Sequence, residues 1–335
     1  MRLCHMLGRA GYIFIFLAMV LSILASRSSK FCWFQAILVL SGMAWLYALR
    51  MKDKWKRIFE LEGKVVVLTG ASSGLGEALA HRLYAAGCRL ILLSRRVDQL
   101  ERVKQEVMMA HRRATVYPPV VLELDLAQTQ SAQQAARAAL AVFGHVDILI
   151  SNAGISYRGE ASETTPSVDA QLMQVNYLGQ LAVLKTLLPS MLERRAGHLL
   201  CVSSVQGRIA IPYRSAYAAS KHALQAFCDS LRAEVADRGV LVTVVSPSYI
   251  RTELSRNAVT ATGDAYNKLD ATTASGMSTD EAADRVLDAL LHHRPETLIS
   301  PLKDRLAVLL RHLVPSVFFW LMERRARAGT GRPGR

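Results

Sequence analysis

The sequence predicts an α/β protein: a doubly wound parallel sheet in one domain, preceded by an N-terminal membrane anchor. Three observations carry that expectation. Short β-branched runs alternate with helix-length stretches between residues 64 and 300, a glycine-rich turn follows the first run directly, and an uncharged apolar run of spanning length lies ahead of them. The chain has 335 residues, of which 51% are hydrophobic, so it can bury a sizeable core.

The N-terminal end comes first. Residues 1–60 read as a membrane-anchor region. Phe31 to Leu49 is uncharged, with Trp33, Trp45 and Tyr47 near its ends. A helix needs about 20 apolar residues to cross the hydrocarbon core, and aromatic residues gather at its interfaces. A single pass over 31–49 is therefore expected. The earlier run, Gly11 to Ala25, is short for a span. It reads as a signal h-region, with Arg2 and Arg9 ahead and small residues behind, or as one limb of a hairpin turning at Ser26 to Lys30. The basic cluster Arg50, Lys52, Lys54, Lys56 and Arg57 places the following domain on the cytosolic side, although Arg2, Arg9, Arg27 and Lys30 compete for the same side.

The charge is uneven along the chain. The formal net charge is +14. Nine Lys/Arg against Asp53 and Glu60 give residues 1–60 a net +7, and eight against Asp304 and Glu323 give residues 301–335 a net +6. The body between them is almost neutral. Basic ends that border apolar runs match anionic lipid head groups; nucleic acid is not expected, because aromatic interleaving is missing. The five cysteines, Cys4, Cys32, Cys88, Cys201 and Cys228, show no metal-ligand spacing, so no metal site is expected.

From residue 61 to 300 the pattern is strand and helix in turn. Lys64–Thr69, Arg89–Ser94, Val120–Asp125, Asp147–Ser151, His198–Ser203 and Leu241–Ser246 read as strands, and Thr297–Ser300 as a short further one. Continuous apolar runs of this kind are the mark of strands covered on both faces. Ligands in such sheets bind beyond the carboxyl ends of the strands. Directly after the first strand comes Gly70-Ala-Ser-Ser-Gly74-Leu-Gly76. The first glycine permits a tight turn, the second lets backbone amides approach a pyrophosphate, and the third lets the helix pack closely. This is the turn of a Rossmann-like dinucleotide site, and Thr69, Ser72, Ser73 and Leu75 are assigned to it with the glycines.

The end of the second strand chooses the cofactor. It reads Ser94-Arg95-Arg96, without the acid that would take a free ribose hydroxyl. A guanidinium grips a phosphate with two parallel bonds, so NADP(H) is expected, with Arg95 as the main contact and Ser94 assisting. Asp125, beside Leu126 at the end of the third strand, accepts from the adenine amino group or simply caps the next helix.

Tyr217 and Lys221 are four apart on a helix and share one face. A phenol titrates near pH ~10, and a nearby ammonium lowers that value, so the phenol can exchange a proton as hydride moves. Ser204, just past a strand, can hold the substrate oxygen, and Asn176, on an earlier helix pattern, can anchor a water that links Lys221 to solvent. Tyr217 and Ser204 are thus also the expected substrate contacts.

The segments Thr69–Gly76, Asn152-Ala153-Gly154, Asn176, Ser204 and Tyr217-x-x-x-Lys221 together resemble the short-chain dehydrogenase/reductase superfamily over roughly residues 62–300. The resemblance implies that Tyr217 is the general acid/base, that Lys221 lowers its pKa and bonds the nicotinamide ribose, that Ser204 orients the carbonyl, and that Asn176 completes a proton relay. It also implies that Asn152, Ala153 and Gly154 support the sheet beside the cofactor. Residues 152–159, 187–191 and 215–222 are similar to a membrane-anchored branch of that family. That similarity implies the endoplasmic reticulum membrane and, against the charge pattern, a lumenal body. One departure stands out. The family places Pro-Gly after the sixth strand, whereas this chain has Pro247-Ser248. Pro247, Ile250 and Thr252 remain assigned to the nicotinamide loop, Thr252 to its carboxamide.

Residues 251–278 are small and polar and read as a substrate loop. The anchor suggests a lipophilic carbonyl or alcohol: a steroid, a retinoid or a lipid-precursor ketone. The alternatives are a non-catalytic nucleotide-binding membrane scaffold and an NAD-linked alcohol dehydrogenase. Residues 301–335 form a basic amphipathic tail in which Val314–Met322 is apolar but too short to span. It lies in the lipid interface, against the body, or against a second subunit in a homodimer.

Overall fold

Seven strands form one all-parallel sheet in the order β3-β2-β1-β4-β6-β7-β9. The computed structural model describes residues 60–111 and 117–330, and these fall in one compact unit, Ile58–Arg335. The strands are β1 Val65–Thr69, β2 Arg89–Ser94, β3 Val120–Glu123, β4 Ile148–Ser151, β6 Gly197–Val202, β7 Val240–Pro247 and β9 Glu296–Ile299. The helices that cross between them are α1 Gly74–Ala85, α2 Val97–Ala110, α3 Thr129–Phe143, α4 Pro166–Met173, α5 Gly179–Glu193, α6 Ser215–Glu234 and, after a four-residue α7 Ala271–Ala274, α8 Thr279–Leu291.

The pleat explains the two cores. Successive side chains of a strand point to opposite faces. Val66 and Leu68 of β1 enter one core with residues of α1, α2 and α8. Val65 and Val67 enter the other with residues of α3, α5 and α6. All five residues of β1 are buried, as a strand covered on both sides requires. Cys88, Cys201 and Cys228 are buried free thiols within these layers. The strand order reverses between β1 and β4, which places a crevice beyond their carboxyl ends.

The structure departs from the sequence reading in several places. The third strand stops at Glu123, and Asp125 sits in the loop beyond it. A second, two-stranded sheet pairs β5 Tyr157–Arg158 with β8 Val259–Thr260. Two residues per strand are too few for any periodicity to reveal. Between α4 and α5 the helix widens into a π-turn over Gln174–Leu178, so Asn176 sits on a bulge rather than on a regular helix. The tail is two helices, α9 Leu302–Leu313 and α10 Pro315–Thr330, broken at Val314 ahead of Pro315. The expected anchor over residues 1–59 lies outside the described residues. Among the described residues no helix is long and apolar enough to cross a membrane.

Candidate active site

The glycine turn is built by contacts between the ends of β1 and β4. Thr69 Oγ1 accepts from the backbone N–H of Asn152 (3.0 Å) and of Ala153 (3.1 Å). Asn152 Nδ2 donates to the carbonyls of Thr69 (3.0 Å) and Gly70 (3.3 Å). Thr69 and Asn152 therefore spend these groups on holding the turn. Gly70 has φ +68°, and a Cβ there would lie 2.8 Å from Ala153 Cα. A Cβ on Gly76 would meet the Gly70 carbonyl at 2.1 Å. No larger residue fits either place, and the backbone stays open for a ligand. Ser73 precedes α1 without a side-chain cap, so the first-turn amides of this 12-residue helix face outward, as an anion site requires.

At the end of β2 the two arginines differ in their contacts. Arg96, rather than Arg95, reaches back to the turn. Its Nη2 bonds Ser72 Oγ (3.0 Å) and Ser73 Oγ (2.8 Å). Ser94 Oγ accepts from the Arg96 N–H (3.0 Å) and so shapes the strand exit. Arg95 is exposed and lines the same cavity. Asp125 closes its own turn by accepting from the Ala127 N–H (3.0 Å), while Gln128 is the residue that starts α3. The Leu126 carbonyl accepts from Gln174 Nε2 (3.2 Å), and a Cβ on Gly179 would strike that carbonyl at 2.2 Å.

One cavity of about 540 Å³ runs from this turn to the start of α6. Gly70, Ser72, Gly74, Arg95, Asp125 and Asn152 line one end, and Ser204, Tyr217, Lys221, Tyr249 and Leu254 the other. Pro247, Ile250 and Thr252 also face it. Pro247 ends β7 in register with Ile299, and Ile250 bridges to Met277. The Thr252 methyl would lie 3.0 Å from a Cβ on Gly74, so it covers the glycine turn. Ser248, in the place of the expected glycine, bonds the Asp304 carboxylate of α9.

Ser204 starts a single 3-10 turn over Val205–Gly207; its Oγ accepts from the Gln206 N–H (3.1 Å), and its hydroxyl acts on Tyr217 to lower that phenol's pKa. Tyr217 is 8% exposed and Lys221 3%. Lys221 Nζ donates to the Val202 carbonyl (3.0 Å) and lies 5.9 Å from the Tyr217 ring centroid. Asn176 is fully buried. Its Oδ1 accepts from the Ile155 N–H (2.8 Å), and its Nδ2 donates to the Ile155 carbonyl (2.9 Å) and to Ser220 Oγ (3.0 Å). A Cβ on Gly154 would come within 3.0 Å of Asn176 Oδ1 and 3.6 Å of Lys221 Nζ. The absence of that carbon lets the amide and the ammonium converge.

The electrostatics differ from the expectation that the lysine depresses the phenol. Burial raises the Tyr217 pKa above its usual value; the Ser204 hydrogen bond and the charges of Arg158 and Arg214 pull it partly back. Burial also pushes Lys221 down to about 8. Desolvation dominates both groups, because the ammonium is turned toward Val202 rather than toward the phenolic oxygen.

Sequence reasoning missed a buried charge cluster beside Tyr217. Asp270 Oδ2 accepts from Arg158 Nε (2.7 Å) and Nη2 (2.6 Å) and from Arg214 Nη2 (3.3 Å). Tyr266 donates to Asp270 Oδ1 (3.1 Å). Two guanidinia thus share one carboxylate, and Arg214 Nε is buried without a hydrogen-bond partner. Burial lowers the Arg214 pKa to about 10. Arg158 and Asp270 are 112 residues apart, so no local pattern joins them.

A family model described as short chain dehydrogenase matches residues 64–263. A dehydrogenase/reductase SDR family protein 7-like from Drosophila melanogaster is 53% identical over 80% of this chain and 82% of its own. The dehydrogenase/reductase SDR family member 7B of Bos taurus is 46% identical over 91% and 95%. Among solved structures, a short chain dehydrogenase/reductase from Burkholderia phymatum in complex with NAD is similar with a TM-score of 0.68 at 25% identity, covering 77% of this chain and 96% of that one. An alcohol dehydrogenase from Thermococcus sibiricus complexed with 5-hydroxy-NADP gives 0.61 at 28%, covering 71% and 96%.

Proposed function

The chain belongs to the short-chain dehydrogenase/reductase family and is a dehydrogenase/reductase enzyme with a dinucleotide-binding fold; from that premise we propose that it is an NADP(H)-dependent, membrane-anchored oxidoreductase that interconverts a carbonyl and an alcohol on a lipophilic substrate. The observation that carries the reading is that Ser204, Tyr217 and Lys221, the last one helical turn on from the tyrosine, line the same cavity as the glycine turn.

The bare backbone at Gly70 and Gly76 and the uncapped start of α1 fit a pyrophosphate. Arg95 and Arg96, with no acid at the strand end before Asp98, fit a 2′-phosphate, and the relative from Thermococcus sibiricus was solved with an NADP derivative. A bound nicotinamide supplies or takes the hydride. This chain's residues handle the proton and the oxygen. Ser204 donates to the substrate oxygen. Tyr217 gives its phenolic proton to that oxygen in reduction and takes it back in oxidation. Lys221, held between Val202 and Gly154, opposes the charge left on the phenolate, and Asn176 keeps the adjoining loop in place through Ile155.

The anchor is assigned to residues 31–49, and the membrane to the endoplasmic reticulum. Two guanidinia on one carboxylate leave surplus positive charge beside the reacting centre. That surplus favours a lipid-precursor ketone that also carries an acidic group over a neutral steroid or retinoid. The test is a panel of lipid ketones, neutral and acidic, with NADPH and with NADH, run beside Tyr217→Phe. Turnover with NADPH that Tyr217→Phe removes is the expected result. Dinucleotide binding without turnover on any carbonyl would leave a scaffold.

A further inference from the structure

The tail helices carry an apolar surface that the body does not cover. Leu302, Leu306, Leu309 and Leu313 are 70%, 55%, 53% and 69% exposed. Their spacing of 4, 3 and 4 puts them on one stripe of α9. Ala307 and Val308 lie on the other side and, with Leu310 at the flank of the stripe, pack toward the body. Phe319 and Trp320 of α10 are about half exposed. Phe318, between the two faces, is 2% exposed and packs with Val205 and Ile209, which follow Ser204. The unit is thus pinned to the body by a buried phenylalanine while its own leucine face stays bare. A contiguous bare stripe of four leucines calls for an occupant, as scattered exposed apolar residues do not.

Charge decides which one. Residues 301–335 carry a net +6. Arg311 stacks over Phe319 (4.9 Å) and Arg324 over Trp320 (4.3 Å), so cationic heads sit at the rim of the apolar face. A second copy pairing through this face would bring two such basic tails together, and like charge opposes it. An anionic lipid surface satisfies both components: acyl chains meet the leucines and head groups meet the arginines. We infer that α9 and α10 together form a docking platform for an anionic lipid surface.

The platform is bonded to the substrate end of the cavity. Ser248 bonds Asp304, Arg325 Nη2 donates to Tyr249 Oη (3.3 Å), and Tyr213 donates to the Ala326 carbonyl (2.9 Å). Ser248 and Tyr249 line the cavity. Docking therefore presents the substrate end to lipid independently of the expected span at 31–49. The inference deepens the reading of a lipid-associated enzyme and does not rest on its redox chemistry.

Trp320 is the one tryptophan outside residues 1–59, the others being Trp33, Trp45 and Trp55. A full-length W33F/W45F/W55F protein makes it the sole reporter. In phosphatidylcholine vesicles containing phosphatidylserine, bromines on the acyl chains are expected to quench Trp320 about two-fold. Adding Leu306→Ser, Leu309→Ser and Leu313→Ser should restore the emission. Equal emission in brominated and plain lipid would overturn the platform. So would a doubled mass in detergent that the three serine substitutions halve, since a second copy would then cover the face. Quenching reads lipid contact without turnover, so an inactive enzyme and an undocked tail give different results.

Discussion

The two ends of the cavity are built by opposite means. At the glycine end the polar side chains spend themselves on backbone groups: Thr69 takes the amides of Asn152 and Ala153, Asn152 bonds the carbonyls of Thr69 and Gly70, and Ser94 takes the Arg96 N–H. The ligand is left to face bare backbone and an uncapped helix. At the substrate end, charges brought from distant parts of the chain converge beside Tyr217: Arg158 and Arg214 on Asp270, and Arg325 on Tyr249. A site that receives a shared, unchanging ligand can be specified by backbone that neighbouring side chains hold open. One that selects a particular substrate is assembled from long-range contacts, which vary without disturbing the turn.

The largest test of that division acts where the ends meet. Tyr217→Phe should lower kcat about 10²–10⁴-fold, the usual worth of a positioned acid/base. It should leave dinucleotide affinity intact, read from the fluorescence of bound NADPH, because the glycine end does not depend on the phenol. A parallel loss of affinity would show that the two ends are one unit. Next in size is Arg158→Met. Arg158 and Asp270 side chains are 8% and 16% exposed; without Arg158 the carboxylate keeps Arg214 and Tyr266, and the lost bonds to a charged group cost about 1.5–3 kcal/mol. The melting temperature should fall, and KM for an acidic ketone should rise more than KM for a neutral one. Equal changes in both would confine the cluster to a structural role.

The same contrast explains what the sequence made legible. The parallel sheet was legible because each strand is a continuous apolar run closed by its own turn signal; β2 appears at the bounds its pattern suggested. The glycine turn, Tyr217 and Lys221 were legible because each belongs to a short run of residues with fixed spacing, although contacts from Asn152, Ala153 and Val202 hold them in place. Asn176 was placed on a regular helix, yet it sits on a π-turn, which leaves no periodic mark. Arg158, Arg214 and Asp270 were invisible because only the small β5–β8 sheet and the loop after it bring them together. The leucine stripe of α9 was overlooked for another reason: its apolar residues are spaced, whereas the sequence reading followed the continuous run at 314–322.

A smaller effect sharpens the glycine end. Arg96 touches both turn serines and Arg95 touches neither. Arg96→Ala should weaken NADPH about tenfold, the scale of a charge-assisted hydrogen bond, while NADH changes little. Arg95→Ala should cost less. The reverse order, measured by titration of both cofactors, would move the phosphate to the exposed guanidinium and detach the serines from cofactor choice.

The smallest effect is one of sign. Burial lowers Lys221 from 10.5 to about 8, so between those values the unfolded chain holds a proton that the folded protein has lost. Stability contributed by this residue therefore rises with pH from about 8 to 10.5, and below pH 8 the buried ammonium is a standing cost. Lys221→Met removes that cost. Its melting temperature relative to the parent should be highest near pH 7 and should fall toward the parent's as pH passes 8, while its turnover stays low throughout. A parent–variant difference that is flat from pH 7 to 10 would mean that Lys221 is solvated well enough to keep its ordinary pKa. The ammonium would then face the phenol across water, and the lowering of Tyr217 that the lysine–tyrosine spacing first suggested would be restored.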